Sequence, residues 1–281
     1  MRESPHLREI RRLDPVADHQ RIVYLDACYE FPFDTTRALE LALFRSFAAP
    51  SIGNLLASTG EFTGRAQKRY DDTDLLISSF AENGYDSEAG RAAIRQMNQI
   101  HRRFEIANDD FLYVLSTLCF EPIRWNARFG WRPLIGIEKE ATFLFWRQVG
   151  LRMAIRGIPE RYDAFERFNV EYEREHFAAG HDGRLVGEAT RDLLIRWFPA
   201  LPHAVGAAAI SAVLDEPLLH AMGFRPPAAI VRRLAEGMLR ARSRVVSHLP
   251  PRRKPRLRTT MRRRSYPDGY RIEELGPAKA P

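Results

Sequence analysis

The residues of this chain that could do chemistry are histidines and helical carboxylates, because the compact motifs of common enzymes are missing. No glycine-rich phosphate loop, no Gly-x-Ser-x-Gly elbow, no His-Glu-x-x-His and no Cys-x-x-Cys occurs, which removes the usual nucleotide, hydrolase and zinc readings. Glu173 and His176 stand three apart, a spacing that puts both on one helix face and supplies half of a di-iron carboxylate site. A complete site needs a second such pair on another helix and two further inward glutamates. No other segment that reads as a helix carries the pair, so a surface or capping role is the better reading for His176.

His101 is a different case. It falls in helical register with Ile94, Met97 and Phe104, so its imidazole is expected in the apolar core while Arg102 and Arg103 point away. Taken alone, such a histidine is either a hydrogen-bonded core residue or a ligand. One helix earlier, Arg69 and Thr73 are four apart and can bring a guanidinium and a hydroxyl to one point. The plainer alternative is a surface pairing of Arg69 with Asp71 or Asp72.

The elements that must position these groups are helical. Apart from a mostly polar start, the apolar residues recur at three to four positions rather than alternating, which predicts an all-α chain of about nine to eleven helices. Asp34-Thr-Thr-Arg opens a helix through Phe47 that ends at Pro50, and a second begins at Ser51. Arg65 to Phe80 carries Arg69 and Thr73; Ser87 caps Glu88 to Phe104, which carries Met97 and His101. The helix opened by Asn108-Asp-Asp is apolar almost all round through Phe120, so it must be central, with Tyr113, Leu115 and Leu118 available as a wall. Pro122 is expected to kink or end it. Helices follow at Glu138–Arg156, from Pro159 to Phe177, and over Val186–Phe198, Ala204–Met222 and Pro227–His248. Helical patterning stops after Pro250-Pro251, giving a helical domain over 1–249 and an extended basic tail over 250–281.

The order of these segments, with Arg69-x-x-x-Thr73, then Ala93-Ile-Arg-Gln-Met-Asn-Gln-Ile-His101, then Asn108-Asp-Asp-Phe-Leu-Tyr-Val-Leu-Ser-Thr-Leu, resembles the mpaB-type oxygenase and rubber oxygenase (latex-clearing protein) catalytic-domain family. The resemblance runs from about Phe31 to Pro199, and the closing Tyr266-Pro-Asp-Gly-Tyr and Leu275-Gly-Pro are similar to the bacterial mpaB-like branch. It implies a globin-reminiscent haem b enzyme that cleaves isoprenoid carbon–carbon double bonds with dioxygen. By that likeness His101 is the proximal iron ligand and Arg69 and Thr73 line the distal pocket; Met97, in register with His101, and Tyr113, on the apolar wall helix, are then expected to contact the cofactor. Two departures stand out. Asp72 replaces the lysine that can fill the sixth iron position in rubber-cleaving members, and Leu115 or Leu112 stands where many wider relatives have a histidine. The catalytic carboxylate has no clear counterpart; Glu61 is a candidate by position.

Length and composition agree with a soluble globular chain: 281 residues, 45% hydrophobic, 28% charged and 11% aromatic. No apolar run reaches the ~18–20 residues that span a bilayer. The first ten residues lack the apolar centre of a secretory signal, so a cytoplasmic protein is expected. Cys28 and Cys119 are too few and too apolar in setting for a disulfide framework or a thiolate metal site. The net charge of +7 is uneven: Arg225 to Arg271 holds 15 Lys/Arg against Glu236 and Asp268, a surplus of +13 that leaves −6 for the rest. Three functions follow as alternatives: a haem oxygenase of hydrophobic substrates, a non-catalytic haem carrier or sensor, and a basic nucleic-acid-binding protein. The tail lacks stacking aromatics among its arginines, so nucleic acid is not expected, and its partner would be an anionic membrane surface or the domain itself.

Overall fold

The computed structural model describes residues 3–277. Among them it contains fourteen α-helices: α1 (Pro5–Ile10), α2 (His19–Leu25), α3 (Pro32–Phe47), α4 (Pro50–Ser58), α5 (Glu61–Gly64), α6 (Ala66–Asn83), α7 (Glu88–His101), α8 (Asn108–Phe129), α9 (Gly136–Arg152), α10 (Tyr162–His176), α11 (His181–Arg196), α12 (His203–Val213), α13 (Glu216–Ala221) and α14 (Ala229–His248). No strand is present among the described residues, and the eleven helices of seven or more residues agree with the expected all-α class. The short α1, α5 and α13 are additional.

α8 is the central helix, as its nearly continuous apolar character requires. It packs on α3, α9 and α10, and buries Leu112, Leu115, Cys119 and Phe120 in the main core. It continues past Pro122 to Phe129 rather than ending there. The Asn126 amide donates to the Pro122 carbonyl at 2.8 Å, and Arg124, Trp125 and Asn126 continue the helix beyond the proline. The expected single helix over Ala204–Met222 is instead α12 and α13. Asp215 accepts from the Leu218 amide at 3.1 Å as an N-cap and Pro217 follows in the first turn, so a new helix starts there. The polar start is also more ordered than expected, with α1, α2 and one π-helical turn over Asp26–Glu30.

Three buried carboxylates, Asp26, Glu30 and Glu138, lie near the head of α9, and one buried cation, Arg132, pairs with two of them. Arg132 donates to Glu138 at 2.6 and 2.8 Å and to Glu30 at 2.9 Å. Asp26 gets none of this, and both of its oxygens lack a hydrogen-bond partner. Burial, then the neighbouring Glu138, push its carboxyl well above the usual range.

The basic tail is a strap laid along α6. Arg258 grips Asp74 at 2.6 and 2.8 Å, Arg263 pairs with the same carboxylate, and Glu82 accepts from the Arg258 and Thr259 backbone amides. Further on, the Ser265 amide reaches Asp71 at 3.1 Å and the Tyr266 hydroxyl reaches Asp72. Acids on α6 therefore meet bases of the strap, which accounts for part of the charge asymmetry. Residues 278–281 of the tail lie outside the described residues. Cys28 and Cys119 are both buried and free.

Candidate functional site

One cavity of about 210 Å³ is walled by α4, α6, α7, α8 and α9 and opens to solvent at its mouth. That is space for several waters' worth of apolar ligand or for the edge of a larger one. Its lining is almost wholly apolar, and the polar exceptions carry the chemistry.

From α6 come Arg69, Asp72 and Thr73; from α7 come Met97 and His101. These positions share the cavity-facing side of each helix because they are three or four apart. Arg69 donates to Thr73, whose hydroxyl also donates to the Arg69 carbonyl at 3.0 Å. The guanidinium lies over the Phe62 ring, 5.1 Å from its centre. Among the described residues it has no carboxylate within ion-pair distance, so the surface pairing with Asp71 or Asp72 is not formed. Asp71 accepts from the strap, and Asp72 is held by Lys68 at 2.9 Å and by Tyr266. Burial lowers the Arg69 pKa, with Asp72 and Glu61 partly opposing it, yet an arginine stays charged at neutral pH.

His101 is the last residue of α7 and makes no side-chain hydrogen bond; its Nδ1 is buried without a partner. Its ring packs on Phe111, centres 5.1 Å apart. A helix C-terminus favours an imidazolium by about 0.3–1 kcal/mol. Burial wins here, and with the Arg69 charge it pulls the pKa down to about 4. The imidazole is neutral at physiological pH, the form that ligates metal.

Glu61 also reaches the cavity wall. The left-handed Gly60 (φ 66°) turns the chain into α5, and the buried Glu61 carboxylate is clamped by Arg65. One expectation needs correction. Tyr113 does not line the cavity: it is fully buried on another side of α8, stacks on Tyr172 at 4.2 Å, and its hydroxyl donates to Glu173 at 3.2 Å. A helix apolar all round gives no signal of which face meets a pocket. Glu173 and His176 form no metal site, since Glu173 binds Arg45 while His176 stacks on Tyr172 and meets its carbonyl at 3.0 Å.

The sequence reading missed one wall. Gly276 and Pro277 of the strap close the cavity, held there by Gln96 donating to the Leu275 carbonyl at 2.6 Å and Lys68 donating to the Gly276 carbonyl at 2.8 Å. A side chain on Gly276 (φ 107°) would meet Ile100 at 2.5 Å, so the strap comes this close only through glycine.

Comparison with known proteins assigns this arrangement to a family. Residues 37–264 match the family described as ER-bound oxygenase mpaB/B'/Rubber oxygenase, catalytic domain. The chain belongs to this family. Among its relatives, the ER-bound oxygenase mpaB of Penicillium roqueforti (strain FM164) is 29% identical over 211 residues, 69% of this chain and 71% of that one. The ER-bound oxygenase mpaB' of Penicillium brevicompactum is 27% identical over 240 residues, 79% of this chain and 57% of that one. The ER-bound oxygenase mpaB of the same fungus is 33% identical over 132 residues, 45% and 34% of the two chains. This chain thus spans from about a third to seven tenths of the length of these relatives. As a member of an oxygenase catalytic-domain family it is an oxidoreductase enzyme. No helix among the described residues is long and apolar enough to cross a membrane.

The residues present fit a cofactor that needs one protein ligand. No group of three His, Cys, Asp or Glu side chains among the described residues could hold a metal ion. A macrocycle that brings four of its own donors needs only one neutral imidazole and apolar walls. His101 offers a ring nitrogen without a hydrogen-bond partner and lines the cavity, so the residues present meet that requirement.

Proposed function

We propose that the cavity binds haem b through His101 and that the protein is a haem-dependent oxygenase. Its substrate is a hydrophobic alkene of isoprenoid type, and the reaction is oxidative cleavage of a carbon–carbon double bond. Each of the two atoms of dioxygen ends on one of the two alkene carbons, giving two carbonyl products without a further reductant. The observation that carries this reading is a charged Arg69 without a carboxylate partner, facing an apolar cavity that also receives a neutral, unpartnered His101.

Haem, when bound, supplies the one-electron and dioxygen chemistry that side chains lack. The chain's own residues set the conditions. His101 supplies the ligating nitrogen without first losing a proton. Arg69 offers fixed donors where negative charge builds on oxygen, and a donor held in a dry pocket stabilises such charge far more than water would. Thr73 receives one Arg69 N–H, which orients the guanidinium, and its hydroxyl can pass a proton along the same helix face. Met97, Leu76, Val114 and Leu115 keep water out and match an apolar substrate. Asp72 is already neutralised by Lys68 and Tyr266, so it does not compete for Arg69.

A haem carrier would need His101 but gains nothing from an unpaired buried guanidinium, which costs desolvation. A nucleic-acid role is weakened because Arg258 and Arg263 are occupied by Asp74. The test is reconstitution with haem, then product analysis after exposure to isoprenoid alkenes and oxygen. A Soret band together with carbonyl products supports the reading. A Soret band with no product from any alkene leaves a carrier, and absence of the band removes the haem assignment.

A further inference from the structure

α14 is mounted with its apolar side outward. Ile230, Leu234, Met238 and Val245, with Leu249 at the C-cap, are 58–66% exposed, and Ala241 between them is exposed as well. At 100° per residue these positions occupy a single stripe. At 1.5 Å per residue it runs for about 28 Å along the helix. The side that faces the protein packs Leu239 on the core and is otherwise largely small and polar. Ala235 and Ser243 are its buried residues, Ser243 donates to the Phe129 carbonyl, Arg242 binds Asp34 at 2.8 Å, and Arg232 donates to the Leu214 carbonyl at 3.0 Å. Contiguous exposed apolar surface of this kind marks a contact site.

Charge beside the stripe names the contact. Arg233, Arg240 and Arg244 are exposed along one flank, and Arg252, Arg253 and Lys254 are exposed just beyond the helix. The one acid of α14, Glu236, is turned away from the stripe toward Arg128 and Arg240. A second copy of this chain would bring another arginine row and no acids to meet the first. An anionic lipid surface satisfies both features at once, taking the apolar stripe at the acyl boundary and the arginines at the headgroups. We infer that α14 lies in the plane of an anionic bilayer and docks the protein on it through Leu234, Met238 and Val245. The docking face is thus α14 and the Arg252–Lys254 segment, while the Arg258–Arg263 part of the strap is spent on α6. This inference stands whether or not the cavity holds haem.

The test is flotation of the full chain with vesicles of phosphatidylcholine alone and with added phosphatidylglycerol. Binding is expected to the anionic vesicles only and to weaken as salt is raised. Leu234→Ser with Met238→Ser, and separately Arg233→Ser with Arg244→Ser, are each expected to weaken it about tenfold or more, since each basic residue near the surface contributes about a factor of five. Because every altered side chain is exposed, unchanged thermal unfolding of the variants is expected and is measured alongside. An environment-sensitive fluorophore on Met238→Cys gives an independent readout, because the two native cysteines are buried; a blue shift on anionic vesicles is expected. The inference is overturned by no binding to anionic vesicles, by equal binding of both double variants and the unaltered chain, or by no shift of the fluorophore. A dimer in light scattering that Leu234→Ser and Met238→Ser dissociate would assign the stripe to a second copy instead.

Discussion

His101 and Arg69 enter the same cavity from α7 and α6, and burial together with the arginine's charge holds the imidazole at a pKa of about 4. The folded-state value lies below the usual 6.5, so between these two pH values the unfolded chain takes up a proton that the folded chain refuses. Stability from this group is present above about 6.5 and is lost as pH falls toward 4. In cofactor-free protein the His101 ring protons are expected to titrate well below pH 6, and Arg69→Leu should move that titration upward. Titration near 6.5 in both proteins would show that the ring is not in the buried setting described.

Replacing His101 with Ala removes the one neutral, unpartnered imidazole of the cavity. The variant is expected to lose stoichiometric haem while keeping its helical circular dichroism. Full haem content with an unchanged absorbance spectrum in His101→Ala would refute the assignment.

Arg69→Ala and Thr73→Ala leave His101 in place, so both are expected to bind haem. Turnover of an alkene substrate should fall by about 10²-fold or more, the scale seen when one preorganised donor is removed. Equal turnover in both variants and the unaltered enzyme would sink the donor role of this pair.

Asp26 has a folded-state pKa raised by burial and by Glu138, so the folded chain keeps a proton that the unfolded chain releases. Stability from this group is therefore lost as pH rises above the ordinary carboxylate range. Asp26→Asn, which cannot ionise, is expected to stabilise the protein at pH 8 by about 1–2 kcal/mol, with less gain at pH 5. Thermal melts across that range decide it, and a variant less stable at pH 8 contradicts the buried-proton account.

Asp74 neutralises both Arg258 and Arg263 at the strap. Asp74→Ala leaves two partly buried cations unpaired, which costs about 3 kcal/mol. Denaturant unfolding should show that loss, and limited proteolysis should cut the strap sooner than in the unaltered chain. A change below about 0.5 kcal/mol would mean the pair is only a surface contact.

The helical class and the cavity-facing placement of four residues were legible because they rest on period. Arg69, Thr73, Met97 and His101 sit at helical spacing on amphipathic segments, so the sequence states which side they face. Tyr113 was not legible, since α8 has apolar residues on every side and the partner of each face is set by packing. The break between α12 and α13 was carried by Asp215 and Pro217, a cap and first-turn pair that small apolar residues on both sides concealed. The strap's place against the cavity has no periodic signature. Its trace was electrostatic: Asp71, Asp72, Asp74 and Glu82 crowd one helix while the tail is basic.

Gly276 and Pro277 complete the cavity wall, yet they follow all fourteen α-helices of the described residues. This wall is therefore an extended segment, held by hydrogen bonds from Gln96 and Lys68 to its carbonyls rather than by a packed helix face. A segment tied by few contacts opens at lower free-energy cost than a packed helix, which makes it the weakest side of the cavity.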